Sequence, residues 1–152
     1  MAEGDVVVYN DFFEQVLKGT HDLSSDAITL TLHTGYTPDI DTHQVWADVS
    51  ATEYTTANGY TAGGQTLDSL SVTQDNDNDR AIFDADDETW TSLGALSPAT
   101  PSHAILWNNT PSSPADPLIL CYTLGTTATN GGNYTIQFSS SPSAILTLAQ
   151  AA

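Results

Sequence analysis

The stretch QDNDNDRAIFDADDETW, Gln74 to Trp90, packs seven carboxylates and one of the chain's two basic side chains into seventeen positions. Oxygen ligands at that density suit a hard cation, a pair of carboxylates suits glycoside hydrolysis, and the same residues suit a solvated acidic turn. Asp75, Asp77, Asp79, Ile82 and Asp86 fall at positions 1, 3, 5, 8 and 12 of a twelve-residue loop, the register of a calcium-binding EF-hand. Arg80 then stands where a Gly must make the sharp turn, and Asp86 where a longer Glu reaches bidentately. The flanking LDSLSVT and AIFDA alternate like strands, so no helices frame the loop. Two readings stay open: a looser Ca²⁺ or Na⁺ site on Asp75, Asp77 and Asp79, or an acidic turn without a ligand. Arg80 is expected to be paired, in a structural ion pair with Asp79 and Asp84 as its partners.

Other constellations are weaker. Asp84, Asp86, Asp87 and Glu88 offer carboxylate pairs for hydrolysis, but nothing in their spacing sets a separation across a substrate. The four histidines, His21, His33, His43 and His103, lack the short spacings of a zinc site. No nucleophile elbow, phosphate loop or dinucleotide fingerprint occurs. The expectation is therefore a protein that is not an enzyme. Trp46, Trp90 and Trp107, with several tyrosines, are candidates for a sugar-stacking platform, and core packing is the competing assignment. Asn108 and Asn133 begin N-x-T sequons, which matter only in an exported protein. Cys121 sits alone in the apolar run LILCY, which excludes an intrachain disulfide and implies a buried thiol.

Charge is the dominant compositional fact. Nineteen acids, fifteen Asp and four Glu, face only Lys18 and Arg80, for a net charge of −17 over 152 residues. At ordinary ionic strength such a chain repels itself, whereas near molar salt the Debye length falls to about 3 Å and most of the repulsion is screened. The composition implies a protein working in concentrated salt. It argues against nucleic acid as a partner, because phosphate contacts need Lys and Arg. No apolar run approaches the length of a membrane-spanning helix. The opening MAEGDVVVYNDFFEQ has no basic n-region, so a secretory signal is not expected.

These residues need elements to position them. NDFFEQVLKG predicts one short helix over about 11–18, with Asp11 as N-cap, Glu14 completing a capping box, and Phe13, Val16 and Leu17 on one face. Residues 1–9 read as a flexible arm or docking segment, or as a strand if VVVY finds a neighbour. AITLTLHT, HQVWADVS and RAIFDA alternate with period two, while SHAILWN and PLILCYTLG are near-continuous apolar runs typical of strands covered on both faces. Gly, Pro, Asn, Asp and Ser clusters separate about eight such strands. The prediction is a single mainly-β domain over 10–152, a β-sandwich or jelly-roll-like barrel with one N-terminal helix.

Several segments taken in order carry a resemblance: YNDFFEQVLKGTHDLSSDAITLTLHTGYTPD, EYTTANGYTAGGQTL, DNDRAIFDADDETW, HAILWNNTPSSPADPLI and GGNYTIQFSSSPSAILTL. From Tyr9 to Leu148 the chain resembles a family of small head-associated virion proteins of tailed double-stranded DNA viruses. The loss of nearly all Lys departs from bacteriophage members and fits a virus of a salt-loving archaeon. The resemblance implies a capsid decoration or turret subunit, made in the host cytoplasm and placed on the virion surface, with the major capsid protein and copies of itself as partners. It implies neither membrane nor nucleic-acid contact, and supplies no catalytic residues. A tail or baseplate component, or a module binding host glycans, is the alternative. The charge reading is testable by itself. The thermal midpoint is expected to rise as potassium chloride goes from about 0.1 M to about 1 M, and a flat profile overturns adaptation to salt.

Overall fold

Alternating β-branched and apolar residues make ITLTLH, HAILWN and LILCYT strong strand formers, and these three segments build the centre of the protein. The computed structural model describes residues 4–140 and 143–149. In chain order the elements are β1 (Val6–Val8), α1 (Asn10–Leu17), β2 (Ile28–His33), α2 (Trp46–Val49) with a 3₁₀ turn at Ser50–Thr52, β3 (Gln65–Thr66), β4 (Ser71–Asp75), β5 (Arg80–Asp84), β6 (Glu88–Trp90), β7 (His103–Asn108), β8 (Leu118–Thr123), β9 (Tyr134–Ile136), β10 (Ser139–Ser140), β11 (Ser143–Ala144) and β12 (Leu146–Ala149). The chain is mainly β and sandwich-like, as its pattern predicts, and the sheets stay open rather than closing into a barrel.

The main sheet is antiparallel in the order β1-β8-β7-β2-β3. Its register sets Leu30 opposite Leu106 and Thr31 opposite Ile105, then Ile105 opposite Cys121 and Leu106 opposite Leu120. Side chains alternate across a strand, so this register sorts the apolar residues onto two faces. On one face Ile28, Leu30, Leu32, Leu106 and Leu120 pack with Phe83, Trp90, Tyr134, Ile136 and Phe138, contributed largely by the β12-β5-β4 and β6-β9 sheets. Each large side chain buried this way contributes about 1.5–3 kcal/mol. On the other face Ile105, Trp107, Leu118 and Cys121 lie under Tyr9, Tyr36, Trp46 and Val49. The expected double coverage of the HAILWN and LILCY runs is thus observed.

The start of the chain joins this sheet. Val6–Val8 pairs antiparallel with β8 as an edge strand, and Tyr9 is fully buried. Of the two readings of residues 1–9, strand pairing is the one seen from Val6 onward. The helix begins at Asn10, with Tyr9 in the cap position and no side-chain cap, so Asp11 is not the N-cap. Asp11 instead accepts from Gln15 Nε2 at 3.1 Å, and Glu14 pairs with Lys18 rather than closing a capping box. The inward face is Phe12, Gln15 and part of Val16, while Phe13 and Leu17 are exposed. Burial of Tyr9 against the sheet turns the helix by one position from the expected face. Its end follows the glycine rule: Gly19 is left-handed at φ +74, and the Gly19 and Thr20 amides bond back to Val16 and Gln15.

HQVWADVS is not a strand. Its residues form α2, whose first turn is held by Asp48 accepting from the Gln44 and Val45 amides at 2.9 and 3.0 Å. The alternation of Val45, Ala47 and Val49 against Trp46 and Asp48 is too short to separate strand from helix, and here the need to lay Trp46 flat on Trp107 decides. Between β2 and the 53–64 loop, Gly64 allows close approach. It has φ +71, and an added Cβ would lie 2.1 Å from the Leu30 carbonyl oxygen. Gly64→Ala is therefore expected to lower unfolding free energy by about 2–4 kcal/mol in urea titration at fixed salt. Gly131→Ala, equally left-handed but facing open space, should cost about 1 kcal/mol.

Candidate functional site

The acidic stretch forms the β4–β5 hairpin and its exit. Asp75 and Arg80 face each other across the two strands, and Arg80 Nε donates to Asp75 Oδ2 at 2.8 Å. Arg80 is paired, as expected, but with neither Asp79 nor Asp84. Asp79 is a left-handed turn residue at φ +50. Asp84 lies four residues further along β5, about 13 Å at strand rise, on the opposite end of the hairpin. Asp75 also accepts from the Asp77 and Asn78 amides and from Asn78 Nδ2. Its oxygens are committed to closing the turn. Bonds from Asn78 and Arg80 hold its carboxyl below the usual carboxylate range. Asp77 and Asp79 stand exposed at the tip. Among the described residues no group of three or more His, Cys, Asp or Glu side chains converges as a cation cage, so Asp75, Asp77 and Asp79 do not come together as ligands.

The downstream acids are likewise occupied locally. Asp86 accepts from Ser69 Oγ at 2.7 Å, and Asp87 from the Phe138 amide at 2.9 Å. Burial pushes the half-buried Glu88 carboxyl up. Elsewhere Asp22, Asp39 and Asp48 repeat the behaviour of Asp75, each accepting from backbone amides a few residues away, and each is held below its usual range by hydrogen bonds, chiefly from the Ser24 and Ser25 side chains, the Thr42 side chain, and the Gln44 and Val45 amides respectively. No carboxylate among the described residues is fully buried.

The tryptophans do not form a platform. Trp90 is 2 % exposed and packs near Tyr60, and Trp107 is 5 % exposed in the second core. Trp46 stacks on Trp107 with ring centroids 4.7 Å apart and planes 15° apart, spending that face inside the protein. The alternation of β6 and β7 turns Trp90 and Trp107 toward opposite cores, so the three cannot share a surface.

Three of the four histidines do converge, around Tyr36. His33, His43 and His103 have ring centroids 5.8, 5.5 and 5.5 Å from it. The Tyr36 hydroxyl bonds the Tyr9 hydroxyl at 2.7 Å and His43 Nδ1 at 2.8 Å. His33 is fully buried, with Nδ1 on Thr52 Oγ1 and Nε2 on Thr31 Oγ1, both at 2.9 Å. The two threonine hydroxyls also reach backbone carbonyls, Thr52 Oγ1 that of Val49 at 2.9 Å and Thr31 Oγ1 that of Ile105 at 3.3 Å. These bonds pin residues 34–52 over the back of the main sheet. Burial, then the His103 charge, pushes the His33 pKa down to about 3. Cys121 lies beneath the same cover, its thiol pushed up to about 12 by burial, as befits a structural cysteine.

Two features escaped the sequence reading. Glu53 is one: Oε1 accepts from the Tyr60 hydroxyl and the Gly63 amide, both at 2.7 Å, while Tyr60 Oη accepts from the Leu32 amide. Burial raises the Glu53 carboxyl, which lines a cleft of about 200 Å³ with Tyr54, Asn58 and Leu96. It stands without a second carboxylate in that cleft, and its bonds fasten the 53–64 loop to β2.

The other is a cleft of about 270 Å³ lined by Gly4, Tyr122–Gly125, Thr127 and Asn133–Gln137. None of these residues is charged. A signal for it exists in the sequence: residues 89–152 hold a single charged side chain, Asp116, while the preceding 88 hold the rest. Loops 91–103 and 124–133 from this neutral half are knitted together by Leu93–Gly132, Gly131–Leu93, Thr129–Ala99 and Leu124–Ser102 backbone bonds of 2.7–2.9 Å. Of the two sequons, Asn108 is buried and bonded to Asp26 and His21, whereas Asn133 is exposed at the cleft. No family model, no curated protein and no solved structure matches the chain.

The buried histidine makes a signed prediction. Between pH 6.5 and about 3 the unfolded chain binds a proton at His33 that the folded chain refuses, so its contribution to stability falls as pH falls through that window. The slope of unfolding free energy against pH from 6.5 to 4.5 should be steeper in the wild type than in His33→Gln, at constant molar salt. Equal slopes would show that His33 titrates alike in both states.

Proposed function

We propose that this chain is a virion structural protein, a capsid decoration or turret subunit on the exterior of a tailed virus that lives in concentrated salt. The observation that carries the salt adaptation is the placement of the carboxylates: none of the described ones is fully buried, and both bases are consumed in local ion pairs with Glu14 and Asp75. The surface is thus left with a large uncompensated negative charge, tolerable where ions screen it. The virion role rests on the ordered resemblance from Tyr9 to Leu148, and a small β body whose polar bonds serve turns and loops is in keeping with it. Val6, Phe13 and Leu17 are exposed on the N-terminal strand and helix. Such contacts are individually weak, and multiplication over many copies on a shell is how they would hold. The major capsid protein and further copies of this chain are the partners in this reading. Among the described residues no helix is long and apolar enough to cross a membrane.

Mass spectrometry of particles purified at their native salt should find the chain at tens to hundreds of copies, and a density map should place a domain of this size on the head. Absence from purified particles overturns the proposal. Density on the tail or baseplate moves the same protein to a different part of the virion.

A further inference from the structure

We propose that the uncharged cleft between the end of β8 and strand β9 binds a neutral, hydroxyl-rich ligand, a saccharide without carboxylate, sulfate or phosphate groups. Its exposed rim carries Thr127, Asn133, Thr135 and Gln137, and Tyr122 and Tyr134 form part of its wall. Hydroxyls and primary amides each offer both donors and acceptors, the mixture that a sugar's hydroxyls require. Tyr134 is buried and Tyr122 packs against Phe138 and the first core, so recognition falls to the polar groups of the rim rather than to ring stacking.

Charge excludes the other ligand classes. An anion needs a cation, and the chain's two bases are committed to ion pairs with Glu14 and Asp75. The neighbouring charge is also of the wrong sign: Asp84 adds to the burial that pushes the Tyr122 hydroxyl up. A cation would need carboxylates, and none lines the cleft. The neutrality follows from the chain itself, since every lining residue but Gly4 comes from the 89–152 stretch, where Asp116 is the sole charged side chain. It also suits brine. Screening near molar salt weakens charge–charge recognition, whereas hydrogen bonds to a neutral ligand keep most of their strength.

β9 pairs with β6 alone among the described strands, so an extended peptide laid along its second edge is the competing occupant. The side chains favour the sugar, since the rim is built of hydroxyls and amides rather than apolar pockets for alternate residues. The inference stands apart from the virion reading: a chain absent from particles would still bind, and an empty cleft would leave a particle-borne chain a structural subunit.

The test is amide NMR of the intact protein in about 2 M potassium chloride, titrated with neutral gluco-, galacto-, manno- and N-acetylglucosamine oligomers to tens of millimolar. Shifts should concentrate at Thr123–Gly125, Thr127 and Asn133–Gln137. Gln137→Ala, an exposed change that preserves the rest of the spectrum, should weaken binding about tenfold. Thr127→Ala should weaken it too, Trp46→Ala should leave it unchanged, and sulfated or uronate oligomers should bind more weakly. Absence of shifts with every neutral oligomer overturns the proposal, as do shifts mapping elsewhere or binding indifferent to Gln137→Ala and Thr127→Ala. The same amides responding instead to a neutral peptide, or to dilution of the protein alone, overturns it in favour of a peptide site or a contact between copies.

Discussion

The burial of β7 on both faces is the constraint on which the rest of the structure depends. Strand β7 lies between β2 and β8, and its residues alternate between two cores: Ala104 and Leu106 toward one, Ile105 and Trp107 toward the other. A sheet apolar on both sides needs two covers. One is a layer of shorter strands carrying Phe83, Trp90, Tyr134 and Ile136. The other is not a sheet at all but the 34–52 segment, with Tyr36, Trp46 and Val49 facing Ile105, Trp107 and Cys121. The polar bonds of Tyr9, Tyr36, His33 and His43 belong to that second cover. They fix an irregular segment where no strand ladder is available to do so.

The acids, which dominate the composition, do their structural work in turns. Asp22, Asp39, Asp48 and Asp75 each fold back onto backbone amides two to four residues away. The short Asp side chain reaches its own backbone in this way, and the longer Glu does so less readily. Four of the fifteen Asp serve in this way, against four Glu in the whole chain. A net negative charge is thus distributed over loop closures rather than gathered into a site. The neutral half of the chain, by contrast, supplies one end of the sandwich and the uncharged cleft.

Much of the fold was legible in the pattern. ITLTLH, HAILWN and LILCYT read as strands, and the continuity of the last two foretold their burial on both faces. The helix was legible to within a residue, and so was its glycine stop. Its inward face was not, because Phe12 and Phe13 are adjacent and only the anchoring of Tyr9 tells which one points to the sheet. HQVWADVS misled because three alternating residues fit two periods. Arg80 was rightly expected to be paired, but neighbours in sequence are poor guides in a hairpin, where the residue opposite is closer than the residue four along. The tryptophans looked like a platform only while their strand faces were unknown.

Sequence alone determined the charge, the mainly-β character, the solitary buried thiol and the strands of the central sheet, because composition and period-two alternation are local properties. Tertiary structure decided which carboxylate holds Arg80, that Trp46 and Trp107 stack on each other, that three distant histidines surround Tyr36, and that the uncharged residues of the C-terminal half share a cleft with Gly4. Each of these is a contact between segments far apart in the chain. Strand order and register bring such segments together, and no local pattern encodes that order.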